Sequence, residues 1–269
     1  MMKTTNVKSR LIAVCFCIAS GLCIFSDVAY AQVTVDTHGG QARERRELTA
    51  NVTNVVMSGP MQLMLRSSLQ PALFIQGDPK LVEKVTTRIE GNTLYIGTRG
   101  IFVAVGKMPA PVVELSLSSL EKLALSGSGP VLVQEMKGNT LDIDSRGSGD
   151  LSMTALFQKI SVKALGSGSV KLRVTNSQDT TVLSRGSGSI SLEGKTTQLH
   201  ADVLGSGGLN AIALESNGAT IQMSGSGDVA VNVIEEIKAA ITGSGQCQIQ
   251  GNPSRRVIQH TGSGQVIWR

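Results

Sequence analysis

From residue 121 onward, apolar residues occupy every second position in short runs, and each run is broken by the same tripeptide. Ile160, Val162 and Ala164 lead into Gly166 and Gly168, and Val170, Leu172 and Val174 continue at the same parity. Ile221 and Met223 repeat this before Gly225 and Gly227, with Val229 and Val231 beyond. So do Ile237, Ala239 and Ile241 before Gly243 and Gly245, with Cys247 and Ile249 beyond. A period of two is that of a strand with one buried face. Gly-Ser-Gly starts at Gly127, Gly147, Gly166, Gly186, Gly205, Gly225, Gly243 and Gly262, at intervals of 20, 19, 20, 19, 20, 18 and 19 residues. Such regularity marks repeated supersecondary units that bury apolar surface by stacking on one another.

The parity turns both glycines of each tripeptide inward: the residues above together with Gly129, Gly149, Gly188, Gly207 and Gly264. The intervening serines face outward. Glycine inside a strand marks a bend or a close backbone approach, so each tripeptide reads as a tight corner. Polar turn sequences lie opposite, at Lys137-Gly138-Asn139, Glu193-Gly194-Lys195, Ser216-Asn217-Gly218 and Gly251-Asn252-Pro253. Strand, glycine corner, strand and turn make one coil of a β-solenoid, with neighbouring coils about 4.8 Å apart. The residue before the tripeptide alternates Arg146, Leu165, Arg185, Leu204. That leaves two readings, a duplicated two-coil block or a single coil of 39 residues.

Upstream the pattern is less regular. Val55, Met57, Gly59, Met61, Leu63 and Leu65 predict a strand pair bent at Ser58-Gly59-Pro60. Leu73 to Ile75 reads as a strand, and Asp78-Pro79 before Lys80-Leu81-Val82 as a capped helical turn. The stretches 86–90 and 93–98 flank Gly91-Asn92 as a hairpin. Val113, Leu115 and Leu117 then lead into the coils. The predicted organisation is an irregular β-rich N-terminal cap over 48–120 and regular repeats over 121–269, preceded by a polar, flexible leader at 32–47. At the other end Val266-Ile267-Trp268-Arg269 carries no cap. A strand edge left open over an apolar column templates pairing with another chain, so Trp268 is either the anchor of an end-to-end contact or its own coil's lid.

Composition agrees with thin β-coils: 41% apolar but 3% aromatic, with 30 Gly. Lys3, Lys8 and Arg10, an apolar run from Leu11 to Phe25 and Ala29-Tyr30-Ala31 together form a signal peptide over 1–31. The predicted product is therefore exported, to the periplasm, the cell surface or beyond. Ser20-Gly21-Leu22-Cys23 is a poor lipidation motif, and with Cys15, Cys17 and Cys23 all in the signal, Cys247 is the one mature cysteine. No later run is long enough to span a membrane as a helix. Loss of the signal takes the formal charge from +5 to +3, too little to argue for nucleic acid.

The order of these features carries a family resemblance. A Val-x-Met-Ser-Gly strand at Val55 to Gly59, Gly77-Asp78-Pro79, the run Glu90-Gly91-Asn92-Thr93-Leu94-Tyr95-Ile96 and serial Leu-Ser-Gly-Ser-Gly units together resemble the GIN-domain family of auto-transporter adhesin head domains, over roughly residues 50 to 269. The resemblance implies an all-β, right-handed, single-stranded β-helix of about eight Gly-Ser-Gly coils in an exported bacterial envelope protein without established activity. An auto-transporter also has a C-terminal β-barrel, which the residues after Gly262 do not supply.

The chemistry implied by the sequence is sparse. A nucleophilic serine needs an adjacent base; of the three histidines, His38 is in the leader and His260 at an inward position. Asp144 and Asp202 lie three coils apart, about 14 Å at strand spacing and beyond the roughly 5–9.5 Å of a glycosidase pair. No Cys or His pair has metal-ligand spacing, no Gly-Gly-x-Gly-x-Asp calcium repeat occurs, and no Gly-Ser-Gly precedes a predicted helix as a phosphate loop would. No metal or cofactor is implied. Asp142, Asp144, Arg146 and Asp150 form the one outward cluster suited to a cation or a sugar, with a solvated ion-paired patch as the alternative. Two functions follow: a noncatalytic interaction or adhesin-like module contacting envelope or surface glycans or proteins, and a polysaccharide-processing enzyme on a β-helix.

Overall fold

The computed structural model describes residues 35–38, 41–49, 51–100 and 109–269; the signal segment lies outside them. In chain order the elements are β1 (Val35–His38), β2 (Gln41–Arg46), β3 (Asn54–Met57), β4 (Gln62–Ser67), β5 (Ala72–Gly77), α1 (Pro79–Val82), β6 (Val85–Glu90), β7 (Thr93–Thr98), β8 (Val112–Leu117) and β9 (Lys122–Leu125). The coils follow as β10 (Val131–Ser145), β11 (Leu151–Ala164), β12 (Val170–Ser184), β13 (Ile190–Val203), β14 (Leu209–Gly225), β15 (Val229–Gly243), β16 (Gln246–Gln250), β17 (Arg255–Gly262) and β18 (Gln265–Trp268).

The repeats stack as a β-solenoid. Val131 pairs with Leu151, and the ladder continues in parallel register through Val170, Ile190, Leu209, Val229, Cys247 and Val266. Partners are 18 to 20 residues apart, so one coil takes one Gly-Ser-Gly interval and a 39-residue coil is excluded. Each coil is flattened into two faces. The front face follows the glycine corner, as at Val131 to Val133; the back face precedes the next corner, as at Leu141 to Ser145. Back-face residues Ile143, Val162, Val182, Ala201, Ile221 and Ala239 form a second buried column facing the first. Each fully buried aliphatic contributes about 1.5–3 kcal/mol, but only when coils above and below complete the column.

Two features of the repeat differ from the sequence expectation. The strands run on through the polar segments at 137–139, 193–195 and 216–218 instead of ending there. The chain turns at register irregularities, between Val133 and Met136 and between Val174 and Ser177, with positive φ at Glu135 and Asn176. A bulge bends a strand while keeping the ladder on either side of it. The glycine corners also have a different cause. The second glycine of most tripeptides is buried but the first is half-exposed, and a Cβ on either would strike backbone of the preceding coil rather than the core. At Gly127 it would meet Gly59, at Gly147 Gly127, at Gly186 Gly166. What demands glycine is coil-on-coil approach along the stack, reinforced by bonds such as Gly149 N–H to Gly127 O at 3.2 Å and Gly207 N–H to Gly186 O at 3.0 Å.

The N-terminal region contains the predicted strands, capped turn and hairpin, but in a different stacking order. The Asp78 carboxylate accepts from Lys80 N–H at 2.9 Å and caps α1. β6 and β7 pair antiparallel around Gly91. The coil made by β3, the Gly59 corner and β4 is not the outermost. β3 lies between β7 and β9, and β4 between β8 and β10, all parallel. Chain that comes later in sequence thus passes beneath the first coil. β5 and then β2 extend the front face antiparallel beyond β8, which revises the leader: Gln41–Arg46 is a strand paired antiparallel with β5 and with β1. It has little apolar periodicity because its anchoring is polar and aromatic. Only Ala42 is buried, while Arg43 bonds Glu114 at 2.7 Å and sits 4.2 Å from the Phe74 ring.

At the opposite end the uncapped coil of the sequence reading has a polar cover. Trp268 stands over Ile249 in a front-face inward column. Arg256, at an inward position over Ile237, stacks its guanidinium 4.4 Å from the indole and donates Nε to Pro253 O at 2.9 Å. His260, over Ile241, is exposed because no described coil covers it.

Candidate functional site

The predicted acidic cluster is only partly assembled. Asp142 and Asp144 point outward from the back face of β10, and Arg146 stands at the corner that follows. Arg146 grips Asp144 bidentately, Nε to Oδ1 at 2.9 Å and Nη2 to Oδ2 at 2.8 Å. That hydrogen bonding, with the Arg146, Lys163 and Lys122 charges behind it, outweighs partial burial and holds the Asp144 carboxyl below the usual aspartate range. Asp150 lies across the corner and takes no part. Its Oδ1 accepts the backbone N–H of Ser169, one coil on, at 2.9 Å. Asp228 does the same for Gln246 N–H at 2.8 Å. These two aspartates splice coils together, a role the sequence leaves unassigned although the 19-residue offset from Asp150 to Ser169 is itself the repeat interval.

The serines of the glycine corners form an exposed ridge beside a shallow groove of about 600 Å³ that also includes Ser126 and Arg146. Among the described residues no histidine stands on that ridge. His200 is mid-strand on the back face, in the column of Thr181 and Thr220. Cys247 is buried, and burial pushes its thiol up to about 11, leaving it an inert core residue at neutral pH. Among the described residues no group of three or more His, Cys, Asp or Glu is placed to hold a metal ion. None of their helices is long and apolar enough to cross a membrane.

A second surface was not singled out from the sequence. On the outward side of the front face, Ser152, Lys171, Ser191 and Asn210 stand in register on successive coils. Beside them Thr154, Arg173 and Glu193 form a parallel column. Together they line an open groove of about 400 Å³. Arg173 Nε bonds Glu193 Oε1 at 2.6 Å, whereas Lys171 forms no ion pair among the described residues. The signal was available: Ser152, Lys171, Ser191 and Asn210 are each the third residue after the second glycine of a corner, and aligning the repeats on that glycine lays out the column.

Fold and surface together define a β-solenoid of repeated coils with flat outward columns of polar side chains. The model of the family described as "Putative auto-transporter adhesin, head GIN domain" matches residues 51–253, and the chain belongs to that family. Crystal structures share the fold. One, of a "putative adhesin" from Parabacteroides distasonis ATCC 8503, has a TM-score of 0.73 at 17% identity, covering 85% of this chain and 97% of its own. A "putative lipid binding protein" from the same strain has a TM-score of 0.72 at 23% identity, covering 84% of this chain and 96% of its own. A "putative adhesin" from Bacteroides fragilis NCTC 9343 has a TM-score of 0.66 at 19% identity, covering 86% of this chain and 98% of its own. No curated protein matches the chain.

Proposed function

We propose that this chain is an exported, noncatalytic, adhesin-like module of the bacterial envelope that binds extended partners along its coils. The observation that carries the reading is how most outward carboxylates of the coils are used, Asp142, Asp202 and Glu135 being the ones without an ion pair or hydrogen bond among the described residues. Asp144 is held by Arg146, Glu193 by Arg173, Glu215 by Lys195 and Glu236 by Lys238 and Arg255, while Asp150 and Asp228 cap backbone of the next coil. Acid–base hydrolysis of a glycan needs two carboxylates poised across one bond, one of them a proton donor. Carboxylates tied into ion pairs and backbone caps are instead part of a scaffold that displays columns of hydroxyl, amide and ammonium groups at strand spacing. Family membership supports the same role.

Export rests on the signal segment at 1–31. Cell fractionation, with mass spectrometry of the mature N-terminus, tests it: the expected species begins at Gln32 and is found in the periplasm or at the cell surface. A cytoplasmic, full-length product overturns the export reading. Release of new reducing ends from a polysaccharide panel, abolished by Asp144→Asn, overturns the noncatalytic one.

A further inference from the structure

We infer that the front-face groove around Lys171 is a binding site for an acidic polysaccharide, the polymer running along the solenoid axis across successive coils. This rests on the interaction-module reading above and specifies its ligand class.

The groove places one uncommitted cation among neutral hydrogen-bonding groups. Lys171 is flanked in register by Ser152 on the coil before and Ser191 on the coil after, with Asn210 one coil further. Strand pairing sets these steps at about 4.8 Å, so a linear polymer lying along the column meets a fresh donor or acceptor at each coil. Beside Lys171, Arg173 spends only its Nε on Glu193; neither Nη group makes a hydrogen bond among the described residues. Lys171 and the free fork of Arg173 are thus two cationic donor groups set against a single acid. Elsewhere along the coils a cation is matched by one acid on the next coil, as Lys195 with Glu215 at 3.0 Å. Here a positive excess is left on a flat strip of hydroxyls, which suits the acidic groups and hydroxyls of a charged glycan.

Other anionic polymers fit less well. Binding of single-stranded nucleic acid draws on aromatic side chains for base stacking, and no aromatic residue lines the groove. Docking to an anionic bilayer uses large apolar side chains inserted beside the cations, whereas the outward groups here are Ser, Thr, Lys, Arg, Glu and Asn with one small apolar side chain, Ala213.

The test measures binding of the mature chain to immobilised polygalacturonate and dextran sulfate, with neutral dextran, phosphatidylglycerol vesicles and single-stranded DNA as further arms. Lys171→Gln removes the charge and keeps a polar side chain. Lys163→Gln removes the same charge from the back face. Both side chains are exposed, and unchanged melting temperatures check that both variants fold. The expected result is binding to at least one acidic polysaccharide, weakened by salt, with Kd raised roughly three- to tenfold by Lys171→Gln and unchanged by Lys163→Gln. The two acidic polymers separate a carboxylate from a sulfate preference. Equal effects of the two variants, equal affinity for dextran, binding confined to vesicles or DNA, or no binding to either acidic polymer overturns the inference. Binding to neutral dextran that ignores Lys171→Gln sinks only this site and leaves the module reading standing. Cleavage of polygalacturonate sinks the noncatalytic reading itself.

Discussion

Replacing Gly186 by alanine adds one methyl group at a corner where the stack leaves no room for it. Its Cβ would lie 2.9 Å from the Gly166 carbonyl carbon and 3.1 Å from the Leu165 carbonyl carbon, and closer still to Gly166 O. All are backbone atoms, so no rotamer change relieves the clash and the coils must move apart. Gly166 O is also the acceptor for Gly188 N–H at 3.3 Å, and Gly186 O accepts Gly207 N–H at 3.0 Å. Overpacking costs about 1–3 kcal/mol and each weakened hydrogen bond about 1 kcal/mol, so the expected loss is roughly 2–5 kcal/mol. Ser187→Ala, one residue on and exposed, is expected to stay within about 0.5 kcal/mol. At roughly 2–4 °C per kcal/mol for a domain of this size, Tm for Gly186→Ala falls by about 4–20 °C while Ser187→Ala barely moves it. Urea denaturation of the two variants against wild type gives the free energies directly. Equal transition midpoints would refute the claim that stacked backbones, rather than local bending, require glycine at the corner.

The Asp144–Arg146 pair gives a pH prediction. The folded carboxyl titrates below its unfolded value of about 3.9, so its contribution to stability is present above that pH and is lost as pH falls through the folded pKa. Carboxyl-carbon NMR is expected to show the Asp144 midpoint below the ordinary aspartate range and rising towards it in Arg146→Gln; an unmoved midpoint would show that the guanidinium is not the cause. For Trp268, the Arg256 stack and the seat above Ile249 favour the lid over the interface anchor. Trp268→Ser is therefore expected to lower Tm while sedimentation stays monomeric and independent of concentration in both forms. Wild-type self-association that the substitution abolishes would make Trp268 the anchor of an end contact instead.

Legibility from sequence tracked how local the determining interactions are. α1 was readable because the Asp78 cap and Pro79 act within one turn, and the β6–β7 hairpin because Gly91-Asn92 fixes its own turn. The coils were readable because each repeats the parity of the last. The insertion of the β3–β4 coil between β7–β8 and β9–β10 was not, since any apolar strand of the right parity could stack there and the choice is made by long-range packing. β2 was missed because its one buried apolar residue, Ala42, sets no period and its partners Phe74 and Glu114 are distant in sequence. In the acidic cluster, the Asp144–Arg146 pair is legible because the two residues stand two apart on one side of a strand. The bond made by Asp150 is not legible because its partner is backbone of the next coil, and a sequence read side chain by side chain does not show which N–H lies there.

The alternation of Arg146, Leu165, Arg185 and Leu204 has a structural counterpart even though no coil takes 39 residues. Front-face partners Val131 and Leu151 are 20 residues apart, but the back-face partners Leu141 and Ile160 of the same two strands are 19 apart. From β11 to β12 the values reverse, 19 at Leu151 and Val170 and 20 at Ile160 and Thr180. β10 and β12 accordingly have 15 residues and β11 and β13 have 14. From β10 to β13 the extra residue falls between the faces, at the bulged corner; in β14 it enters earlier, between Asn210 and Ala213. The glycine corner cannot absorb it, because each tripeptide is locked to its neighbours by backbone contact and by backbone N–H bonds to Gly O. The bulged corner can, because bulging tolerates one residue more or less without breaking either ladder. Over β10–β13 the repeating unit is therefore a pair of coils that differ only on the side away from the glycines, and the arginines at 146 and 185 recur at its period.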